Sequence, residues 1–201
     1  MNQPYKKVSV ISPFLIAAIA IVLLLSSTQV NAATTSVNSS IGSIISVFTT
    51  SGSVAVNVSP TASGVQTIAN DIITVSTNDA AGYTLTLNET GASSALVSGG
   101  NSIPASAGTF ASPIAQVVNT WGYRVDGIGG FGAGPTSGVS NAAIGAIKFA
   151  AVPATASPAT IKTTATTATN DTTNVWYGVA VNTATPSGNY TNSVTYTAVA
   201  N

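Results

Sequence analysis

The side chains best placed for chemistry are three aspartates beside turn-forming residues. Asp79, Asp126 and Asp171 each lie next to an Asn or a Gly. Two or three such carboxylates, together with backbone carbonyls, could hold a Ca²⁺ ion. Their spacing matches no calcium-binding loop motif, and Asp side chains commonly cap turns. We therefore predict turn capping, no metal site, and a folded state that is stable without Ca²⁺.

A lysine within an apolar run is a second chemical signal. Lys148 lies in AIGAIKFAAV, and Lys162 and Glu89 lie elsewhere in the chain. Some surface β-domains join a Lys to an Asn through an isopeptide bond, assisted by a buried carboxylate. A Lys in an apolar run more often takes an outward position or lays its stem along apolar surface. The sequence favours the outward lysine and leaves the cross-link as the alternative.

The glycine-rich segment 127–134 does not have the context of a phosphate-binding loop. A dinucleotide fingerprint needs a strand before it and a helix after it, within a parallel βαβ unit. No helical pattern follows GIGGFGAG. We therefore predict no nucleotide and no other cofactor.

Groups that titrate near neutral pH are missing from this chain. It contains no His and no Cys, and charged residues make up 5% of it. Most enzyme chemistry uses such a group, a thiolate or a metal cluster, so we predict that the protein is not an enzyme. Beyond residue 32 there are three basic and five acidic residues, a net charge of −2. Without a basic patch, nucleic acid is not an expected partner.

The first 32 residues have the layout of a secretory signal peptide. Two lysines precede an apolar run over residues 8–25, and a small residue, Ala32, ends the candidate cleavage site. The alternative is an uncleaved membrane anchor, because the run approaches the roughly 18–20 residues that span a bilayer. We predict a signal peptide over 1–32 and a protein that is secreted or at the cell surface. The membrane would then be a partner only through an uncleaved N-terminal helix.

Apolar and polar residues alternate in short segments along the rest of the chain, the pattern of half-buried strands. No helical pattern appears after the signal peptide. The hydrophobic fraction of 45% favours an ordered domain. Segments with this alternation include 54–58, 83–87, 121–125, 175–181 and 190–196.

Turn residues separate these segments. Pro186-Ser187-Gly188-Asn189 predicts a hairpin between the last two strands. Residues 127–145 and 154–174 are looser, with at most a short strand near Ile161 in the second. Many short strands with such turns indicate an antiparallel β-sandwich. We predict one all-β domain of immunoglobulin-like sandwich type over residues 33–201, preceded by the signal helix.

Two aromatic side chains are candidate ligand-facing residues. Phe131 lies in the Gly-rich segment 127–145, which could form a surface loop. Trp176 is out of phase with Val175 and Tyr177, so it is expected on the outer face of its strand or against a partner. The other aromatic residues alternate in phase with aliphatic ones, and core packing is favoured for them.

The segment that follows the cleavage site is a candidate interaction element. Residues 33–50 are uncharged and place Val37, Ile41, Ile45 and Val47 on one face of an extended chain. Such a segment can pair within its own sheet, the more usual outcome, or enter a neighbouring molecule as a donated strand. Donation would produce a head-to-tail contact that does not close and hence a fibre.

Several stretches carry a resemblance to known proteins. NDAAGYTLTLNE (78–89), VNTWGYRVDG (118–127) and VWYGVAVNTATPSGNYTNSVTYTA (175–198) resemble secreted β-sandwich proteins of small-genome, Patescibacteria-type bacteria. The closing SGNYTNSVTYTA is also similar to the last strand of pilin-like and WxL-like surface domains. The resemblance implies an exported, cell-surface-associated β-sandwich and no catalytic residues.

These observations predict an exported structural or adhesive protein of the cell surface or extracellular space. A fibre subunit that assembles by strand donation is one form of that role, with the protein itself or other surface proteins and glycans as partners. The alternative is a monomeric glycan-binding or protein-binding module.

Overall fold

The computed structural model describes residues 34–201 of the chain. By compactness the chain divides into two units, residues 1–41 and residues 42–201. Residues 34–41 of the first unit have no regular secondary structure, and their side chains are exposed. The predicted signal peptide, residues 1–32, lies outside the described residues.

The second unit is all-β and its paired strands are antiparallel, as the sequence pattern predicts. No helix occurs within residues 34–201, so none there is long and apolar enough to cross a membrane. The strands in chain order are β1 (Ile45–Thr49), β2 (Val65–Thr77), β3 (Tyr83–Glu89), β4 (Leu96–Ser98), β5 (Asn101–Ile103), β6 (Ile114–Ala115), β7 (Thr120–Val125), β8 (Val139–Ala142), β9 (Lys148–Phe149), β10 (Ala159–Thr163), β11 (Ala168–Val181) and β12 (Val194–Ala200).

The larger sheet is built on the two longest strands, β2 and β11. They pair antiparallel, with Val65 opposite Val181 and Val75 opposite Asp171. β7 pairs with the other edge of β11. The free side of β2 is shared, because β1 pairs with one half of it and β8 with the other. Strands rich in Val, Ile and Thr favour such extended pairing.

The smaller sheet has the order β10-β3-β12 and is also antiparallel. Alternate residues of a strand share a face, and Tyr83, Leu85 and Leu87 of β3 are fully buried. Both sheets contribute to one apolar core, so they enclose it between them. Its members from the larger sheet are Ile73, Val75, Trp121, Tyr123, Val125, Val175, Tyr177, Val179 and Val181.

The larger sheet also buries residues on its opposite face. There Trp176 forms a second buried cluster with Ile68 and Phe149. The chain between β7 and the end of β9 supplies Phe149 and covers this face. Gly178 allows the close approach, because a Cβ at that position would lie 2.6 Å from the Cε1 and Cζ atoms of Phe149.

The predicted hairpin at 186–189 is wrong. β11 and β12 lie in different sheets, so the chain between them crosses from one sheet to the other. Thr191 in this crossing exchanges backbone hydrogen bonds with Val97 of β4 at 3.0 Å in each direction. The turn residues bend the chain locally, but long-range pairing decides where the next strand goes.

Two further segments differ from the sequence pattern. Residues 54–58 alternate as predicted, yet they pair with no strand in the described chain. Conversely, β11 begins at Ala168, inside the stretch expected to be loose. The short strand expected near Ile161 is present as β10.

A Gly178→Ala substitution tests the packing of Phe149 on the larger sheet. We expect a loss of about 1–3 kcal/mol in the free energy of unfolding, because the buried ring must shift to admit the methyl group. Gly100→Ala is the matched control, since nothing lies within 4 Å of a Cβ there, and it should change stability by less than about 0.5 kcal/mol. Urea denaturation of both variants gives the comparison. Equal stabilities would contradict the close contact.

Candidate interaction site

A groove of about 930 Å³ opens between residues 51–60 and residues 185–196 of the second unit. Trp121, Tyr177 and Val179 of the larger sheet lie along it, and all three belong to the common core. The groove is therefore an opening from the surface into the common core.

One wall of the groove is the extended segment 51–58. Val54, Val56 and Val58 are half-buried and pack against the core, whereas Ala55 and Asn57 are exposed. No backbone N–H from residue 54 to residue 58 donates a hydrogen bond to any described residue. The wall has the shape of a strand without a partner.

The ends of this wall are held by side chains of other strands. Ser51 donates its backbone N–H to Asp71 Oδ1 at 3.3 Å. The carbonyl of Asn57 accepts a hydrogen bond from Thr67 Oγ1 at 2.9 Å. Ser59 donates its N–H to Asn141 Oδ1 at 2.7 Å. The segment is thus fixed at both ends while its middle lacks backbone partners.

The opposite wall begins at the outer edge of β12. Thr90 donates its N–H to Ser193 O, and Asn201 donates to Gly82 O. Hydrogen-bonded pairs alternate along an antiparallel ladder, so the odd-numbered residues of β12 bond to β3. The N–H and C=O groups of Val194 and Tyr196 therefore point away from β3. Within residues 34–201 no strand pairs with that edge.

Three polar side chains, Tyr177, Tyr196 and Asp71, lie where the groove meets the core. Tyr177 and Tyr196 join their hydroxyl groups at 2.5 Å, which links the two sheets. Asp71 is 4% exposed, and burial raises the pKa of its carboxyl although its Oδ1 accepts a hydrogen bond from the Ser51 N–H at 3.3 Å. Burial likewise raises the pKa of both tyrosines. Asp71 fixes the chain where β1 ends and the groove wall begins.

The predicted donation face is divided by the structure. Val37 and Ile41 are 91% and 85% exposed and lie in the segment without secondary structure. Ile45 and Val47 belong to β1, which pairs with β2 of its own chain. From Gly42 onward the chain is held by Asn78, which donates to Gly42 O and accepts from Ile44 N. The segment left unpaired is residues 34–41.

The ligand-facing role expected for Phe131 is wrong, because its ring is 3% exposed. It packs edge-on against Phe110 and Tyr123, with ring centroids 5.9 and 5.7 Å away. Arg124 donates to the carbonyls of Phe131 and Gly132 at 3.3 and 3.0 Å. These bonds draw the Gly-rich loop onto the sheet instead of leaving it free.

Trp176 lies on the outer face of its strand, one of the two placements expected for it, but it is 3% exposed and faces no solvent. Its indole N–H donates to Asp126 Oδ2 at 3.0 Å. The other carboxylate oxygen of Asp126 accepts from Arg124 Nε at 3.1 Å. Trp176 therefore belongs to the second buried cluster, with Ile68 and Phe149. Its expected ligand-facing role is wrong, because the side chain is buried.

The three candidate turn carboxylates take three different roles. Asp79 caps its turn by accepting the N–H of Ala81 at 2.9 Å. Asp126 binds Arg124 and Trp176, as described above. Asp171 accepts from Lys162 Nζ at 2.6 Å and from the Tyr83 hydroxyl at 2.8 Å. Burial pushes the pKa of Asp171 upward, but the hydrogen bonds from Lys162 and Tyr83 lower it overall.

The candidate cross-linking residues are not brought together. Lys148 is exposed, the outward placement that the sequence favours, and Lys162 pairs with Asp171. Glu89 is 3% exposed, its Oε1 has no hydrogen-bond partner among the described residues, and burial raises its pKa. The buried carboxyl of Glu89 is therefore not paired with Lys148 or Lys162 and is not placed to assist a cross-link from either.

Sequence reasoning missed the groove and its walls. Its only signal was the alternation of 54–58, which predicts a strand but not the lack of a partner. Comparison with known proteins adds no relative: no protein-family model, no curated protein and no solved structure matches this chain.

The substitution Arg124→Met tests whether the buried guanidinium holds the Gly-rich loop on the sheet. We expect the free energy of unfolding to fall by about 3–5 kcal/mol, because Asp126 and the loop carbonyls lose their donor. Lys162→Met is the control, since this partly exposed pair should contribute under about 1 kcal/mol. Thermal and urea unfolding measure both. An equal, small effect of the two substitutions would contradict a structural role for Arg124.

The unpaired carboxyl of Glu89 predicts a pH-dependent cost to stability. Its folded pKa lies above the unfolded value near 4.5, so the native state binds the proton more tightly and stability falls as pH rises through that interval. Glu89→Gln removes the buried charge and should stabilise the protein at pH 7. At pH 3 both side chains are neutral, and the two proteins should unfold alike. A Glu89→Gln protein less stable than the parent at pH 7 would contradict this sign.

Proposed function

We propose that the protein is an exported structural or adhesive protein of the cell surface or extracellular space. In this proposal residues 1–32 act as the signal peptide, and the chain from residue 33 forms a sandwich of immunoglobulin-like type. The basic, apolar and small-residue order of the N-terminus supports export. Two antiparallel sheets around one core support the sandwich.

Self-assembly by strand donation is the form of this role that the geometry supports best. The observation that carries it is that the described chain has both an exposed segment without a strand partner and a groove that could accept a strand. Residues 34–41 expose Val37 and Ile41, while the second unit leaves a groove that reaches apolar core side chains and lies between two backbones without strand partners. Strand addition satisfies backbone groups and apolar side chains in one step.

Five of the titratable side chains have structural roles, which supports a non-catalytic function. Asp126 and Arg124 fix a loop, Asp171 pairs with Lys162, and Asp71 holds the groove wall. Each has a structural partner inside the fold. We therefore propose that the protein is not an enzyme.

The second candidate is a monomeric module that binds a glycan or a peptide. The groove favours it in one respect, because Tyr190, Asn189 and Asn192 line it beside the apolar residues. Aromatic rings with amide groups suit ligands that have both apolar and polar surfaces. The groove then replaces Phe131 and Trp176 as the binding site.

Charge substitutions in the exposed segment separate the two candidates. The full chain, expressed for export, should form oligomers that grow with concentration in sedimentation velocity. Val37→Asp combined with Ile41→Asp should abolish them, because a carboxylate cannot be buried unpaired against the apolar core side chains at the base of the groove. Asn38→Asp combined with Ser40→Asp adds the same charge on the opposite face and should assemble more than the first variant. A parent protein that stays monomeric at every concentration would favour the binding module.

A further inference from the structure

The groove has the features of a missing strand position. On one side stands the segment 54–58, extended and without backbone donors to other described residues. On the other stands β12, whose Val194 and Tyr196 direct their N–H and C=O groups away from β3. Between them lies an opening of about 930 Å³ that reaches core side chains. An inserted strand would find hydrogen-bond partners on both sides.

The exposed segment 34–41 matches this position in length. Its eight residues equal in number the eight residues of the groove wall 51–58, and each segment spans about 26 Å when extended.

The same segment matches the position in chemistry. Residues 34–41 carry no charge. Val37 and Ile41 share one face with the small Ser39 between them, a face that suits the half-buried Val54, Val56 and Val58. The charged side chain at the groove, Asp71, already accepts a hydrogen bond from the Ser51 N–H of its own chain, and an uncharged strand brings no like charge close to it.

We propose that residues 34–41 of a second copy of this chain insert between residues 54–58 and β12. This inference rests on the proposed function and names its acceptor site. Val37 and Ile41 point into the groove, and Asn38 and Ser40 face solvent. Because each copy carries one donor and one acceptor, repetition gives an open chain of subunits.

Cysteine cross-linking between two populations of the full chain tests the site, since the protein has no cysteine of its own. One population carries Ser40→Cys, and the other carries Ala55→Cys or Asn57→Cys, two exposed positions on the same face of the wall. Directly opposite residues of neighbouring antiparallel strands have Cα atoms about 4.5–5.5 Å apart, within the range of a disulfide. We expect mixed dimers under mild oxidation. Thr163→Cys, on the other outer edge of the smaller sheet, is the acceptor control and should give about tenfold fewer.

Two blocking variants sharpen the test. Val194→Pro removes an edge N–H without breaking the ladder to β3 and should reduce cross-linking about tenfold or more. Ile41→Asp in the Ser40→Cys population changes only the donor and should do the same, which covers the case in which the proline variant does not fold. A folded Val194→Pro protein and an Ile41→Asp protein that both cross-link like the parent would overturn the proposal.

The outcomes distinguish this inference from the proposed function. Oligomers in sedimentation without cross-links above the Thr163→Cys control would overturn the groove as acceptor and leave self-assembly standing. Neither oligomers nor cross-links would overturn both. A disulfide that forms only within one chain, in a protein carrying Ser40→Cys and Ala55→Cys together, would show that the strand serves its own subunit and would also overturn the proposal.

Discussion

Burial of β11 on both faces is the constraint on which the rest of the structure depends. From Val175 to Val181 every residue of this strand is buried. A sheet with one wet face does not produce that pattern, whereas a sheet covered on both sides does. The smaller sheet covers one face of β11. The other face needs a separate cover, and the chain between β7 and β9 supplies it.

Residues 126–149, which cover this face, are held in place mainly by hydrogen bonds from one charged side chain and less by strand pairing. β8 and β9 are short, and much of residues 126–149 is irregular. Arg124 is 1% exposed and donates to three backbone carbonyls and to Asp126. A buried guanidinium needs this many acceptors to offset its lost hydration. A glycine also lets the loop backbone pass close to the acidic partner of Arg124, because a Cβ on Gly134 would collide with the Asp126 carboxylate.

Sequence patterns predicted the elements that depend on neighbouring residues. Alternation at 83–87 and 121–125 marks strands with one core face, and the phase of Trp176 correctly placed it on the outer face. Phe131 was misread because a Gly-rich composition says nothing about hydrogen bonds from Arg124. The groove was missed for a similar reason: it is defined by backbone groups that lack partners, and the walls that carry them are far apart in the sequence. Turn residues at 186–189 show the same limit, since a turn bends the chain without choosing a sheet.

The two faces of the larger sheet each bury one of the two tryptophans of the chain. Trp121 lies in the common core and donates its indole N–H to Ser94 O at 2.8 Å. Trp176 lies beneath the outer cover beside a carboxylate. When one tryptophan is replaced, the intrinsic fluorescence of the other therefore reports on one face of the larger sheet alone. A change confined to the Trp176 emission would report that residues 126–149 move away from the larger sheet while the common core stays closed.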